Sequence, residues 1–442
     1  MSSAAEQLAA NFNFNVFSKA HELKKRIWYT LGALIIYRLG SYIPLPGVDI
    51  AVIKTLASKN ANNFFGIFNM FSGGALERMS ILALNIVPYI SASIIIQLMT
   101  AISPTLEALK KEGESGRQKI NQYTRYLTVF LATAQAFGLS TGLVAQGAVS
   151  IDPTIFKITT VINIVGGTLF LMWLGEQITS RGIGNGVSLI IFSGIVANLP
   201  QAALGLIELG QDNTIPITFI LFLFAAVVAI FAFIVFVERA IRKVLIQYPK
   251  RQVGARVQGG EASYIPLKLN SSGVLPPIFA QALLVLPSTA VMFVSDSSPE
   301  WLQTLLFYLS PGKPLFIVLM SVLIVFFAYF YTTIIFNPAD TAENLKKSGG
   351  FIPGIRPGQA TADFIEKLLN RLTFFGASYL VIVCLMPELL KAKYAVPFYF
   401  GGTSLLIIVS VTLDTVAQIQ SHLVAHQYEG LLKKANLKGR RR

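Results

Sequence analysis

Residues 214–237, TIPITFILFLFAAVVAIFAFIVFV, run for 24 residues without a charged side chain, and the chain leaves them directly into Glu238-Arg239, then Arg242 and Lys243. A helix rises 1.5 Å per residue, so about 20 apolar residues cross the ~30 Å hydrocarbon layer of a bilayer. The run reads as a membrane span, and the basic residues after it mark the end retained in the cytoplasm. Working outward in both directions, the same unit recurs. Ten apolar runs lie near 27–46, 79–101, 127–147, 155–178, 185–204, 214–237, 272–294, 314–336, 372–390 and 397–420. The whole chain of 442 residues is 53% hydrophobic and 13% charged, with a mean hydropathy of +0.61. Soluble domains carry about 25% charge; that low charge and the recurring span-length runs argue against a soluble enzyme, and this much apolar surface excludes a disordered chain. The fold class read from this pattern is all-α and polytopic, with ten transmembrane helices.

The net charge of +14 looks at odds with such hydropathy until it is placed on the chain. With the N-terminus inside, 28 of the 36 Lys and Arg fall on inside segments and 7 on outside segments, with Arg38 inside the first span. That bias orients the protein with both termini cytoplasmic. Residues 1–26 are polar, so they are read as a cytoplasmic segment and not as a cleavable leader. The remaining divisions are five spans over 27–204, a sixth over 205–237, a cytoplasmic loop at 238–271, spans seven and eight over 272–336, a second loop at 337–371, spans nine and ten over 372–420, and a cytoplasmic tail at 421–442. Basic loops beside a membrane serve as topology determinants in contact with anionic phospholipids. Two long ones on one face also read as a docking surface for an acidic partner, RNA included.

Residues 64–78, FFGIFNMFSGGALER, are apolar but too short to cross a bilayer. They read as a short half-helix packed within the protein, or as an interfacial helix on the outer side. Polar-aliphatic stripes then mark four spans. Ile86, Ile90, Ser93, Gln97 and Thr100 share an arc of about 80° at helical spacing. Thr403, Ile407, Val411, Asp414 and Gln418 do the same, as do Gly184, Val187, Ile191, Gly194 and Asn198, and more loosely Ser271, Val274, Ile278 and Gln281. Such faces suit ordinary interhelical hydrogen bonding, or an hourglass whose wet funnels meet at an apolar constriction. The second reading needs span five to be recessed, because Val187 lies near its start.

Catalytic patterns are absent. There is no G-x-x-x-x-G-K-[ST] phosphate loop and no H-E-x-x-H, and His21, His422 and His426 have no completing ligand set. Cys384 is the single cysteine, which excludes an internal disulfide and a cysteine metal cluster. Gly182, Gly184 and Gly186 read as a flexible or tightly packed start to a helix. Asp414 and Glu176 are the main carboxylates suited to a proton relay, without an obvious basic partner in sequence. Asn270-Ser271-Ser272 is a formal glycosylation sequon on the wrong side of the membrane. No enzyme, cofactor or metal is expected. A secondary transporter of a small solute is the alternative class, and it should carry mid-membrane charges that are scarce here.

Six blocks carry a resemblance: PYISASIIIQL (88–98), KKEGESGRQKINQYTRY (110–126), LMWLGEQITSRGIGNG (171–186), FNPADTAENLKKSGGFIPGIRPG (336–358), VPFYFGGTSLLI (396–407) and LKKANLKG (432–439). With them the chain resembles the bacterial SecY family over nearly its whole length. The resemblance implies two five-span halves of inverted pseudo-symmetry and a protein-conducting channel of the bacterial inner membrane, without a nucleotide site of its own. It implies a pore ring at Ile86, Ile90, Val187, Ile191, Ile278 and Ile407, with Val187 smaller than the isoleucine often found there. It implies a plug over Phe64, Phe65, Ile67, Phe68, Met70, Phe71, Ser72, Gly73 and Gly74. A lateral gate between spans two, three, seven and eight is implied, with Ser91, Gln97 and Gln135 at the seam. Docking falls to Arg356, with Lys250, Arg251, Arg256, Arg242, Lys346 and Lys347 beside it, while Ala255 replaces a frequent arginine. Implied partners are the SecE and SecG subunits, the SecA motor, the ribosome, signal sequences and unfolded polypeptides, with SecDF and YidC as further associates.

Overall fold

The computed structural model describes residues 21–49, 52–53, 69, 72–201, 204, 217–248, 251–253, 256–258, 262–291, 308, 313–394 and 401–439. Its helices are α1 (His21–Gly40), α2 (Val87–Ile102), α3 (Pro104–Lys111), α4 (Glu114–Ala145), α5 (Pro153–Arg181), α6 (Gly186–Ala197), α7 (Ile217–Glu238), α8 (Leu275–Val291), α9 (Pro314–Ile335), α10 (Pro338–Lys347), α11 (Gln359–Tyr394) and α12 (Gly402–Gly439). Each of the ten apolar runs carries one of these; α3 and α10 are short polar helices between them. Among the described residues, five helices are long and apolar enough to cross a membrane outright, over Glu114–Ala145, Pro153–Arg181, Pro314–Lys347, Gln359–Pro387 and Gly402–Ala425. A sixth span arises if α2 and α3, bent by 98°, count as one.

Local chemistry sets where the helices begin. Pro stands in the first turn of α2, α3, α5, α9 and α10, where its missing N–H costs no hydrogen bond. Asp152 caps α5 by accepting from Thr154 N at 2.8 Å and Ile155 N at 3.4 Å, and Asn185 caps α6 by accepting from Val187 N at 3.1 Å. Where the helices end differs from the hydropathy reading. Helix α4 starts thirteen residues before the apolar run at 127, α11 starts thirteen before the run at 372, and α12 continues to Gly439. Hydropathy senses where a chain is greasy, whereas hydrogen bonding carries a helix on into water.

Span two is corrected in the opposite sense. Residues 79–86, read as its beginning, form turns, and α2 starts only at Val87. Met79 and Asn85 adopt left-handed φ values of 44° and 51°, and Ser80 makes an isolated antiparallel bridge with Pro44. This irregular stretch is buried in protein, which is the condition under which non-helical backbone is tolerated at membrane depth.

The loop at 238–271, left unassigned by its sequence, builds two antiparallel ribbons. Strand β1 (Ile241–Gln247) pairs with β4 (Ala262–Lys268), and β2 (Arg251–Val253) pairs with β3 (Arg256–Gln258). The second long loop joins them. Gln247 N donates to Phe351 O at 2.9 Å and Phe351 N to Gln247 O at 3.0 Å. Val244, Leu267, Ile352, Ile365, Leu369 and Leu372 close a small core between the two loops. The two basic loops are therefore one folded body, which forms the basic end of the protein.

The bundle falls into halves α1–α6 and α7–α12. They meet along two seams: α8 packs on α2 and α4, and α12 packs on α1 and α6. One large apolar cluster fills the second half, around Phe279, Ile324, Phe327, Leu380 and Leu405. A second lies in the first half around Leu76, Met79, Leu139 and Phe156. A third lies between the halves.

Candidate functional site

The third cluster contains all six aliphatic residues expected at the ring. Ile86, Ile191 and Ile407 are buried in it, and Ile90, Val187 and Ile278 pack against it half-buried. They come from α2 and α6 on one side and α8 and α12 on the other. Ile90 and Ile278 also touch the large cluster of the second half, so these residues sit on the seam between halves. Ile86 is the residue before α2, and its carbonyl accepts from Ile90 N at 3.1 Å, which keeps both on one face.

The RGIGNG segment before α6 is tightly packed: Ile183 N donates to Thr30 Oγ1 of α1 at 3.0 Å, Gly184 N to Gln418 Oε1 of α12 at 2.7 Å, and Gly186 N to Thr179 Oγ1 of α5 at 2.9 Å. Gly184 has φ +88°, and a Cβ there would press on Leu189 and Thr415. Beside the start of α6 lies a cavity of about 300 Å³ lined by Asn185, Ser188, Val411, Asp414, Thr415 and Gln418 among others. Asp414 and Gln418 are exposed within reach of solvent, so the polar part of the α12 stripe faces water and its aliphatic part faces the cluster. In α2 the polar part satisfies itself: Gln97 Nε2 donates to Ser93 Oγ at 3.1 Å and Thr100 Oγ1 to Ile96 O at 2.7 Å.

Of the expected plug, Phe64, Phe65, Ile67, Phe68, Met70 and Phe71 lie outside the described residues. Ser72, Gly73 and Gly74 are described. Gly73 and Gly74 have φ +66° and +81°, so 73–78 are turns and not the end of a half-helix. Arg38, expected to snorkel or pair within α1, donates through Nη1 to Gly73 O at 2.7 Å, and Tyr37 OH donates to Ser72 O at 3.3 Å. The guanidinium groups of Arg38 and Arg78 stand 5.1 Å and 4.2 Å from the Tyr42 ring centre. Aromatic and carbonyl groups thus hold these cations where no described carboxylate does.

Of the helices expected at the gate, α8 packs against α2, α4 and α9, and α2 against α4. Ser91 on α2 and Gln135 on α4 are buried, and the Ser91 hydroxyl and both Gln135 amide atoms have no hydrogen-bond partner among the described residues. Gln97 is half-buried. Gln281 on α8, which sequence reasoning put on a stripe but not at the gate, is buried with its Oε1 also unpartnered. At the basic end, Arg242, Lys346, Lys347 and Arg356 are exposed, and Thr361 Oγ1 holds the Arg356 carbonyl at 2.9 Å. Arg251 and Arg256 fall on β2 and β3, while Lys250 and Ala255 lie outside the described residues. Lys347 pairs with Glu343 at 2.9 Å, which holds the Glu343 carboxyl below its ordinary range through that hydrogen bond and charge; Glu107 is held down in the same way by Lys111 at 2.7 Å.

One expectation from the sequence is overturned. Glu176 does have a basic partner: Arg125, 51 residues away, grips it with Nη2 at 2.8 and 2.7 Å and Nε at 3.2 Å, because α4 and α5 pack side by side. Asn270, discounted as a glycosylation site from the sequence, is 3% exposed with both ends of its amide bonded.

Two helical halves meeting at an apolar cluster, with several helices apolar enough to cross a bilayer, define a multi-pass membrane protein. A family model described as SecY matches residues 80–416. Protein translocase subunit SecY of Escherichia coli is 52% identical over 423 residues, covering 95% of this chain and 96% of the relative. The Pseudomonas aeruginosa protein of the same description is 53% identical over 419 residues, covering 95% of each, and that of Vibrio cholerae 50% over 424 residues, covering 95% and 96%. The chain belongs to the SecY family. Its fold is that of a protein-conducting channel of solved structure, with a TM-score of 0.66 at 17% identity over 91% of this chain and 93% of that one. A SecY whose plug domain stabilises its closed state gives 0.65 at 18% identity over the same shares, and the channel of a canine ribosome–channel complex 0.63 at 17%, again over 91% and 93%.

Proposed function

We propose that this chain is the pore through which unfolded polypeptides cross the bacterial inner membrane, with its basic end and both termini in the cytoplasm. Ile86, Ile90, Val187, Ile191, Ile278 and Ile407 form the gasket. Branched alkyl groups make no directional bonds, so they fit varied sequences without holding any, and in the resting state they exclude water and ions by dewetting. The segment 64–74 plugs the outer side. Apolar segments leave between α2 and α4 on one side and α8 and α9 on the other, past Ser91, Gln97, Gln135 and Gln281, because burial in lipid gains roughly 25 cal/mol per Å². The divisions of the chain proposed from its sequence follow from this use, with 238–271 and 337–371 acting together as one docking body.

Docking rests on Arg356, Arg242, Lys346 and Lys347, with Lys250, Arg251 and Arg256, and it suits the phosphate-rich surface of a ribosome or an acidic face of the SecA motor. SecE and SecG are the membrane partners, signal sequences and unfolded chains the substrates, anionic phospholipids the surrounding contact, and SecDF and YidC later associates. The observation that carries this reading is the single cluster in which six aliphatics from four helices meet across both halves. A photo-crosslinker placed at Ile191 or Ile278 should capture the middle of a polypeptide stalled in transit. Capture of lipid alone at both positions would end the assignment.

A further inference from the structure

The docking body and the constriction are joined by a short stretch of chain whose bonding is unusually complete. Strand β4 ends at Lys268 and α8 begins at Leu275, and Asn270 lies between them, buried. Its Nδ2 donates to Glu238 Oε1 at the end of α7 at 2.8 Å and to Gly273 O at 2.9 Å. Its Oδ1 accepts from Ser272 Oγ at 2.9 Å. One residue earlier, Leu269 N donates to Ala240 O at 2.9 Å, prolonging the β1–β4 ladder up to the membrane helices. Gly273 turns the chain with φ +65°. Helix α11 closes the far side: a Cβ on Gly376 would lie 3.0 Å from Leu269 O and 3.4 Å from Asn270 Cα. One amide thus ties the last turn of α7, the exit of the ribbon and the start of α8.

The constriction begins within a few residues of Asn270. Val274 and Ile278 both pack in the central cluster, and Ile278 is in the first turn of α8. Gln281, one turn further, is buried with its Oε1 unpartnered among the described residues. No flexible linker separates the basic body from these side chains. A buried amide with every bond made is stiff, and removing one bond strands the carboxylate or carbonyl it served.

We propose that Asn270 is a positioning residue that couples the docking body to α8, so that load on the basic end moves Ile278 and Gln281 together. The inference rests on the proposed docking and pore roles. Asn270 touches no substrate; it acts through the first turn of α8. The partner class is the one already assigned to the basic end, and the new element is the route by which its arrival is felt at the seal.

The test uses the full membrane complex in vesicles with ribosomes carrying a nascent secretory chain. It reads ribosome association and chain translocation separately. Asn270→Asp keeps the size and the acceptor but replaces the donor to Glu238 and Gly273, and should lower translocation about tenfold, within the usual range of intersite coupling, with association unchanged. Adding Glu238→Gln returns a donor across the same pair and should recover most of the loss. Normal translocation in Asn270→Asp would overturn the coupling, as would a fall in association equal to the fall in translocation, which is what a merely structural joint gives. Failure of Asn270→Asp and Glu238→Gln together to recover would also count against it. Arg356→Glu in parallel separates the two readings: if it leaves association intact, the docking reading fails, whatever Asn270 does.

Discussion

On α2, Ile86 and Ile90 turn into an apolar cluster shared with α6, α8 and α12, while Ser91, one residue on, is buried with a hydroxyl that bonds to nothing among the described residues. On α8, Ile278 joins the same cluster and the Gln281 carbonyl oxygen has no partner among the described residues. The proposed constriction and the proposed lateral seam thus share helices but differ in how well their groups are served. Alkyl groups in the constriction need no partners, so closing it satisfies everything there. In the proposed seam, Ser91, Gln135 and Gln281 on three helices keep polar atoms without partners among the described residues, at about 1–3 kcal/mol for each unsatisfied group. The difference teaches that the seal and the exit can be closed at once and yet differ in how easily they open. A bond-free gasket resists by packing, and a seam of unpaired amides is held short of its most stable closure.

The largest expected effect tests the packing side. Ile191→Ala leaves a hole in the constriction and should destabilise the protein by about 2–5 kcal/mol, read as an earlier thermal transition in detergent. A change within error would mean that the cluster is not close-packed. Next, Gln135→Leu and Gln281→Leu each remove a stranded amide and should stabilise the closed seam by about 1–3 kcal/mol, raising the hydrophobicity a segment needs to enter the membrane. An unchanged threshold would erase the contrast. Third, Arg356→Glu should cut driven export at least about tenfold, equivalent to ~1.4 kcal/mol, while resting conductance stays level, which separates docking from both closures.

The smallest effect lies at the surface. The Glu343 carboxyl is held below its ordinary value by Lys347, so the pair's contribution is present at neutral pH and is lost as the pH falls through that lowered value. Lys347→Ala should move the Glu343 titration, followed by NMR, back up to the ordinary carboxylate range and leave conductance and gating alone. A titration that stays depressed would mean another group holds it.

Much of this was legible in the chain. Uncharged runs such as 214–237 announce helices because lipid offers backbone groups no partner, and the stripes through Ile90, Ile191, Ile278 and Ile407 anticipated the cluster because period and polarity changed together. Family resemblance gave the residue roles, not the stripes alone. What stayed hidden depends on contacts distant in sequence. Arg125 and Glu176 are unremarkable until α4 and α5 lie side by side. The turns at 73–86 are apolar enough to pass for a span, and only the positive φ at Met79 and Asn85 breaks them. The ribbons at 241–268 escaped because basic residues there were read for charge and not for alternation, although Val244, Ile246 and Leu267 face inward. Gln281 was seen on a stripe, but its unpaired oxygen shows only when α8 is set against α2 and α4.

The central claim is that ion tightness belongs to the alkyl cluster and not to the seam. Resting conductance of the complex in planar bilayers tests it most directly, with Ile90→Asn/Ile407→Asn and Gln135→Leu/Gln281→Leu measured beside the unaltered protein. A large rise in ion leak is expected for the first pair and none for the second. Equal leak in both, or a rise confined to the second, would contradict it.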